Sequence, residues 1–148
     1  MISPEILRRY PYFAAADDEG LRQLAMICDE INVAAGAIMY REGDKADKLY
    51  ILTDGEVDIQ YTLGSGELRT VDTVVPGELL MLSALVEPFK STAVVAVRAP
   101  SKLIAIDAEK LRAFCAENLQ VANEVLLRMT KMLATRLEGA RIQLATVD

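Results

Sequence analysis

Residues 43–57, with the sequence GDKADKLYILTDGEV, constrain the fold more than any other stretch of this chain. Gly43 lies in a turn, where glycine takes a positive φ at no steric cost. The apolar run of residues 49–52 has the length of a strand. Asp54-Gly55 follows as a tight-turn signal, and residues 57–62 then alternate between apolar and polar side chains. We therefore expect two strands joined by a hairpin at Gly55.

The composition is that of one globular domain spanning residues 1–148. Hydrophobic residues make up 52% of the 148 residues and charged residues 26%, which is enough apolar material for a core. There is no apolar run of about eighteen residues, and the first residues do not resemble a signal peptide. Cys28 and Cys115 lie in helix-like segments, which favours buried free thiols. We expect a cytoplasmic protein that does not contact membranes.

Charge and missing residue types exclude several classes of function. The formal net charge is −6 and no basic block is present, so direct binding to nucleic acid is not expected. The chain has no histidine, which removes histidine-dependent nucleophiles and histidine metal sites. No calcium-loop spacing is present. We expect a protein that is not an enzyme and carries no cofactor or metal.

The order of patterns along the chain predicts helices, then a β-rich body, then helices. Within residues 1–30, Ser3 is suited to cap a first helix, and Asp17-Asp18-Glu19 begins a second one with acids at the positive end of the helix dipole. Residues 31–107 contain short strand-like runs with frequent turns, including one at Ala99-Pro100, which is typical of a small barrel or jelly roll. Asp107 is suited to cap a first C-terminal helix, and a long helix follows from Leu119, so that helices occupy residues 108–141.

The segment of residues 76–92 is the best candidate for a ligand site. Gly77 permits a sharp turn, and Ser83 is placed to cap a short helix whose amides would attract an anion. Lys90 adds a positive charge, and Ser91 and Thr92 add hydroxyl donors. These groups would suit one phosphate.

Several motifs resemble the cyclic nucleotide-binding domain family, the β-roll sensors of catabolite-activator-type regulators, protein kinase regulatory subunits and nucleotide-gated channels. The resemblance covers residues 7–137 and rests on these motifs: Ala35-Gly36, Gly43-Asp44, Leu49-Tyr50-Ile51-Leu52, Gly55-x-Val57 and Pro76-Gly77-Glu78. It implies a mainly β fold with flanking helices: a β-roll with two N-terminal helices, a short cassette helix and two C-terminal helices.

The resemblance also implies roles for individual residues. Met81 and Leu82 stand where the family has a cassette glycine and a glutamate that accepts from the ribose hydroxyl. Lys90 stands where an arginine holds the cyclic phosphate, and Ser91 where a small residue lies beside it. Aligning Glu78 with the ribose carboxylate instead requires an insertion. The predicted ligand-binding residues are Met81, Leu82, Ser83, Lys90, Ser91 and Thr92.

Two functions follow from the resemblance. The first is a non-enzymatic sensor that binds a cyclic mononucleotide or another small anion and signals through its last helix. The alternative is a degenerate domain that binds no cyclic nucleotide and acts in protein interaction or dimerisation, which Met81 and Leu82 favour.

The last helix carries an apolar stripe that ends at Leu144. This stripe is predicted either to pack on the β-roll or to form a homodimer seam. Its basic residues are expected to form a solvated face; they are Arg128, Lys131, Arg136 and Arg141.

Overall fold

The computed structural model describes residues 1–146, which form an antiparallel sheet with helices at both ends of the chain. The α-helices within these residues are α1 (Pro4–Arg8), α2 (Asp18–Met26), α3 (Ala108–Glu117) and α4 (Leu119–Thr146). Short 3-10 helices span Pro11–Phe13 and Leu82–Leu85. The strands are β1 (Cys28–Val33), β2 (Ile38–Tyr40), β3 (Lys48–Thr62), β4 (Leu68–Val74), β5 (Leu79–Leu80) and β6 (Val94–Asp107).

The sheet is organised around two long strands that pair along most of their length. Its main order is β1-β6-β3-β4, while β2 pairs with β6 and β5 pairs with β3. Every pairing is antiparallel. The expected mainly β fold with flanking helices is therefore confirmed. No helix within residues 1–146 combines the length and apolar character needed to cross a bilayer.

The hairpin expected at Gly55 is wrong, because β3 runs continuously through this residue. The register between β3 and β6 shifts on both sides of Gly55, as at a β-bulge, so that the strand bends without reversing. Gly55 has a φ of 102°, and a Cβ there would lie 2.2 Å from the Oγ of Ser101 and 2.7 Å from the carbonyl oxygen of Pro100. Glycine is required by this close approach to β6.

The turn expected at Ala99-Pro100 is also wrong, because the strand there is continuous. β6 continues through both residues, opposite the bent part of β3. Glu56 pairs with Ala99, and the next pair is Val57 with Val97, so the irregularity is shared by the two strands. Turn-forming residues here produce a bend in a long two-stranded ribbon.

Hydrogen bonds confirm the caps predicted at Ser3 and Asp107 and show that Asp17 caps α2. The backbone N–H of Glu5 donates to the Ser3 hydroxyl at 3.3 Å, and that of Gly20 donates to the Asp17 carboxylate at 2.7 Å. Asp107 accepts from the backbone N–H of Lys110 at 3.0 Å. Each cap satisfies a donor that the first helical turn leaves unpaired.

The prediction that Cys28 lies in a helix-like segment is wrong. This residue begins β1, where it pairs with Ile106 of β6. The backbone N–H of Asp107 also donates to the carbonyl of Ile27. These sheet contacts end α2 at Met26. At the other end of the chain, α4 continues beyond Gly139 to Thr146.

The core consists of two layers separated by the long strands. In β3, Leu49 and Ile51 face the helices, whereas Tyr50 and Leu52 face the interior of the β-roll. This is the alternation of side chains that an extended strand imposes. The first turns of α4 are buried against the first layer through Val121, Val125 and Met129. Met132 is partly buried against the same layer, and beyond it the helix extends along the open side of the roll.

Candidate functional site

The cassette, residues 81–92, starts directly after β5 ends at Leu80, and its first residue is Met81. This residue has φ 69° and ψ 52°, a left-handed conformation that is uncommon for residues other than glycine. The following 3-10 helix spans Leu82–Leu85, and no side chain caps its start. The predicted capping role of Ser83 is therefore wrong, because the helix begins one residue before Ser83.

A cavity of about 680 Å³ lies between the β-roll, the cassette and the C-terminal half of α4. Its walls are largely apolar, with Leu80 and Val95 from the roll and Leu133 and Leu137 from α4. Five of the six predicted ligand-binding residues line it: Met81, Leu82, Ser83, Ser91 and Thr92. The fold therefore brings together residues that are up to eleven positions apart in the sequence.

Ser91 joins the cassette to the turn that opens the central motif. Its backbone N–H donates to the carbonyl of Asp44, and its own carbonyl accepts from the N–H of Gly43, both at 2.8 Å. The buried Ser91 hydroxyl donates to the carbonyl of Ala93 at 2.7 Å. The turn at Gly43 and Asp44 thus fixes the second half of the cassette against the roll.

The structure does not bring Lys90 to the cavity. Lys90 is exposed, and its backbone pairs with Lys45 in an isolated β-bridge. Successive side chains of an extended chain point in opposite directions. Since Ser91 points inward, Lys90 points outward, and its contact with a ligand phosphate stays a prediction.

Arg136 of α4 lines the cavity. Its Nε lies 3.4 Å from the Oδ2 of Asp72 on β4, and its Nη2 lies 3.5 Å from the Oε2 of Glu78. The expectation that Arg136 belongs to a solvated face is therefore wrong. A signal was available in the sequence, because Arg136 follows the buried Met129 by seven residues and lies on the same side of the helix.

Glu78 is held within its own turn and is not among the residues that line the cavity. Its Oε1 accepts from the backbone N–H of Val75 at 3.0 Å. The hydroxyl of Tyr12 donates to the carbonyl of the neighbouring Gly77 at 2.6 Å. This turn therefore connects the N-terminal 3-10 helix, the cassette and, through Glu78, the guanidinium of Arg136.

Arg112 of α3 connects the cassette to the C-terminal helices. Its Nη1 donates to the carbonyl of Ala84 at 2.5 Å, and its guanidinium lies 4.0 Å from the centre of the Phe89 ring. A guanidinium over an aromatic face is attracted by the electrons of the ring. Arg112 therefore links the cassette helix to α3, which directly precedes α4.

Comparisons with known proteins agree with this architecture. A family model described as the cyclic nucleotide-binding domain matches residues 30–118. A crystal structure of a candidate cyclic nucleotide-binding protein from Geobacter metallireducens is 31% identical and has a TM-score of 0.80. The match covers 93% of this chain and 99% of that one. The regulatory domain of Toxoplasma gondii PKA, crystallised with cAMP, is 27% identical with a TM-score of 0.66, and the match covers 75% of this chain and 42% of that one.

A curated relative is also similar over most of this chain. The CRP-like cAMP-activated global transcriptional regulator of Mycobacterium tuberculosis is 22% identical over 141 residues, which are 95% of this chain. The chain spans 61% of the length of that regulator. The match of the family model over more than half of the chain, together with the shared fold, shows that this chain belongs to the cyclic nucleotide-binding domain family.

Proposed function

We propose that this chain is a non-enzymatic sensor domain that binds a cyclic mononucleotide or another small anion and signals through α4. The observation that carries the proposal is the cavity of about 680 Å³ between the cassette and α4. Ser83, Thr92 and Arg136 present polar groups to an otherwise largely apolar space, which is the usual chemistry of a small-molecule site. Relatives named for activation by cAMP or crystallised with it support this assignment.

Signalling would follow from the position of α4. Leu133 and Leu137 form one wall of the cavity, yet both are about half exposed because the helix lies over an open side of the roll. A ligand that contacts both the cassette and these residues favours the arrangement in which α4 is packed over the cavity. The output is then a shift in the population of that arrangement.

The ligand must fit a cassette in which Met81 and Leu82 replace the glycine and glutamate expected from the family resemblance. Met81 is buried and takes the left-handed backbone that such a glycine would adopt. Leu82 provides no acceptor for a ribose hydroxyl. We therefore propose that recognition depends on the anionic group and on apolar contacts with the walls.

Calorimetric titration with cyclic AMP and cyclic GMP tests this proposal. We expect saturable binding to the wild-type chain. Binding should be lost in Ala140→Trp, which fills the cavity from an exposed position on α4, and retained in Ala134→Trp, an exposed position of the same helix outside the cavity. Absence of heat and of a thermal shift for the wild-type chain with both nucleotides and with inorganic phosphate would contradict the proposal and favour a domain that acts without a ligand of this kind.

We also propose that α4 forms the seam of a homodimer. Leu126, Leu133, Leu137 and Leu144 are each about half exposed or more. They are spaced seven, four and seven residues apart, which is the spacing of a coiled-coil seam. Sedimentation equilibrium should give a dimer for the wild-type chain and a monomer for Leu126→Glu, while Lys131→Glu on the same helix should remain a dimer. A wild-type monomer at high concentration would contradict this seam.

A further inference from the structure

One of the charged side chains in the cavity has a donor that lacks a hydrogen-bond partner among the described residues. Among the described residues that line it, charge is carried by Asp72 and Arg136. The Nη2 of Arg136 is buried and makes no hydrogen bond to any group within residues 1–146. A buried donor without an acceptor costs free energy, and the cost is larger for a charged group. The cavity therefore contains a guanidinium donor for which an entering acceptor would be favourable.

The present partners of Arg136 hold it only loosely. Its contacts with Asp72 and Glu78 are 3.4 and 3.5 Å long, and neither meets the geometry of a hydrogen bond. The side chains of both acids remain partly open to solvent, at 40% and 32% exposure. Ion pairs of this kind contribute little, whereas a bidentate contact between a guanidinium and an anion is shorter and stronger.

We propose that Arg136 binds the anionic group of the ligand and exchanges its contacts with Asp72 and Glu78 for that group. This inference rests on the proposed function, since it assigns a residue to the same cavity. Among the described residues that line the cavity, the positive charge is that of Arg136 on α4. The charge of the ligand is then sensed directly by the helix that carries the signal.

If the ligand replaces Asp72 as the partner of Arg136, substitutions at these two residues should change ligand binding in opposite directions. A purely structural ion pair would not have this effect. Asp72 competes with the ligand for the guanidinium, so removing its charge in Asp72→Asn strengthens binding, by about two- to fivefold. Removing the guanidinium in Arg136→Gln weakens binding of an anion by about 10- to 100-fold. An uncharged analogue that lacks the phosphate shows neither the strengthening in Asp72→Asn nor the 10- to 100-fold weakening in Arg136→Gln.

The experiment is a set of titrations of the full chain with cyclic AMP, adenosine and inorganic phosphate. The variants are Arg136→Gln, Arg136→Lys, Asp72→Asn and, as a control cation on the same helix outside the cavity, Arg141→Gln. Circular dichroism and thermal unfolding establish that each variant is folded. We expect Arg136→Gln to lose the preference for cyclic AMP over adenosine, Arg136→Lys to retain part of it, and Arg141→Gln to keep it fully.

The outcomes separate this inference from the proposed function. If the wild-type chain binds cyclic AMP and Arg136→Gln binds it equally well, the role of Arg136 is overturned and the sensor function stands. If the wild-type chain binds inorganic phosphate through Arg136 but not cyclic AMP, the role of Arg136 is supported and the cyclic nucleotide is excluded. If neither probe binds, both proposals are overturned.

Discussion

The Nε of Arg136 on α4 lies 3.4 Å from the Oδ2 of Asp72 on β4. This pair joins the C-terminal half of α4 to the far edge of the sheet, across a cavity that both residues line. The buried part of α4 ends near Met129. Charge therefore contributes to holding the remaining turns of the helix over the roll, where apolar burial is incomplete.

Loss of this pair should loosen the second half of α4. In Asp72→Asn we expect the amides of α4 beyond Met129 to exchange with deuterium about two- to fivefold faster, since a partly exposed ion pair contributes up to about 1 kcal/mol. Glu138→Gln removes an exposed carboxylate from the same helix and serves as the control. Equal exchange in the wild-type chain and in Asp72→Asn would show that the pair does not restrain the helix.

Gly55 should tolerate no side chain. In Gly55→Ala the new Cβ would meet the backbone of Pro100 and Ser101 at 2.7 Å, at a residue whose φ is 102°. Backbone strain and overpacking together should lower the free energy of unfolding by about 2–4 kcal/mol. Urea unfolding measures this change.

Gly64→Ala is the matched control for that measurement. A Cβ at Gly64 meets no atom within 4 Å, so its free energy of unfolding should stay within about 0.5 kcal/mol of the wild-type value. Equal stability of Gly55→Ala and Gly64→Ala would refute the account of the bend in β3.

At Met81, substitution by glycine should destabilise the fold less than substitution by alanine, which is the reverse of the usual order. Both Met81→Ala and Met81→Gly remove the same buried side chain from the second core layer. The backbone at φ 69° disfavours alanine by about 1–2 kcal/mol, while glycine adopts it without strain. Thermal unfolding should therefore find Met81→Gly more stable than Met81→Ala. The opposite order would indicate that the loop relaxes to another conformation.

Cys28 should make stability depend on alkaline pH. Burial raises the pKa of its thiol from 9.0 to about 12, so the folded chain favours the neutral form. The contribution is fully present below about pH 9 and is lost as the pH rises toward about 12, by up to about 1.4 kcal/mol per unit. Urea unfolding at several pH values should show a steeper loss for the wild-type chain than for Cys28→Ala. Parallel curves would contradict the assigned burial.

Local signals in the sequence were sufficient for the helix starts and for the class of fold. Ser3, Asp17 and Asp107 cap helices because their side chains accept from nearby backbone groups, and this chemistry depends on a few neighbouring residues. The alternation in β3 similarly reflects the period of a strand.

The features that the sequence did not predict depend on contacts between residues that are far apart in the chain. Asp54-Gly55 is a hairpin signal by itself, but pairing with the whole of β6 turns it into a bulge. Arg136 has the same local pattern as its exposed basic neighbours, and only the docking of α4 over β4 brings it beside Asp72. Lys90 was assigned to the ligand by its alignment, whereas the direction of its side chain depends on how the cassette rejoins the sheet.

Nuclear magnetic resonance titration of the isotopically labelled chain with cyclic AMP would show directly whether this ligand occupies the cavity between the cassette and α4. We expect saturable shifts of the backbone amides of cavity-lining residues in both walls, which are Ser83, Ser91 and Thr92 and, on α4, Leu133, Arg136, Leu137, Ala140 and Gln143. Spectra that do not change at high ligand concentration, or shifts confined to residues away from the cavity, would contradict the binding of cyclic AMP in this cavity.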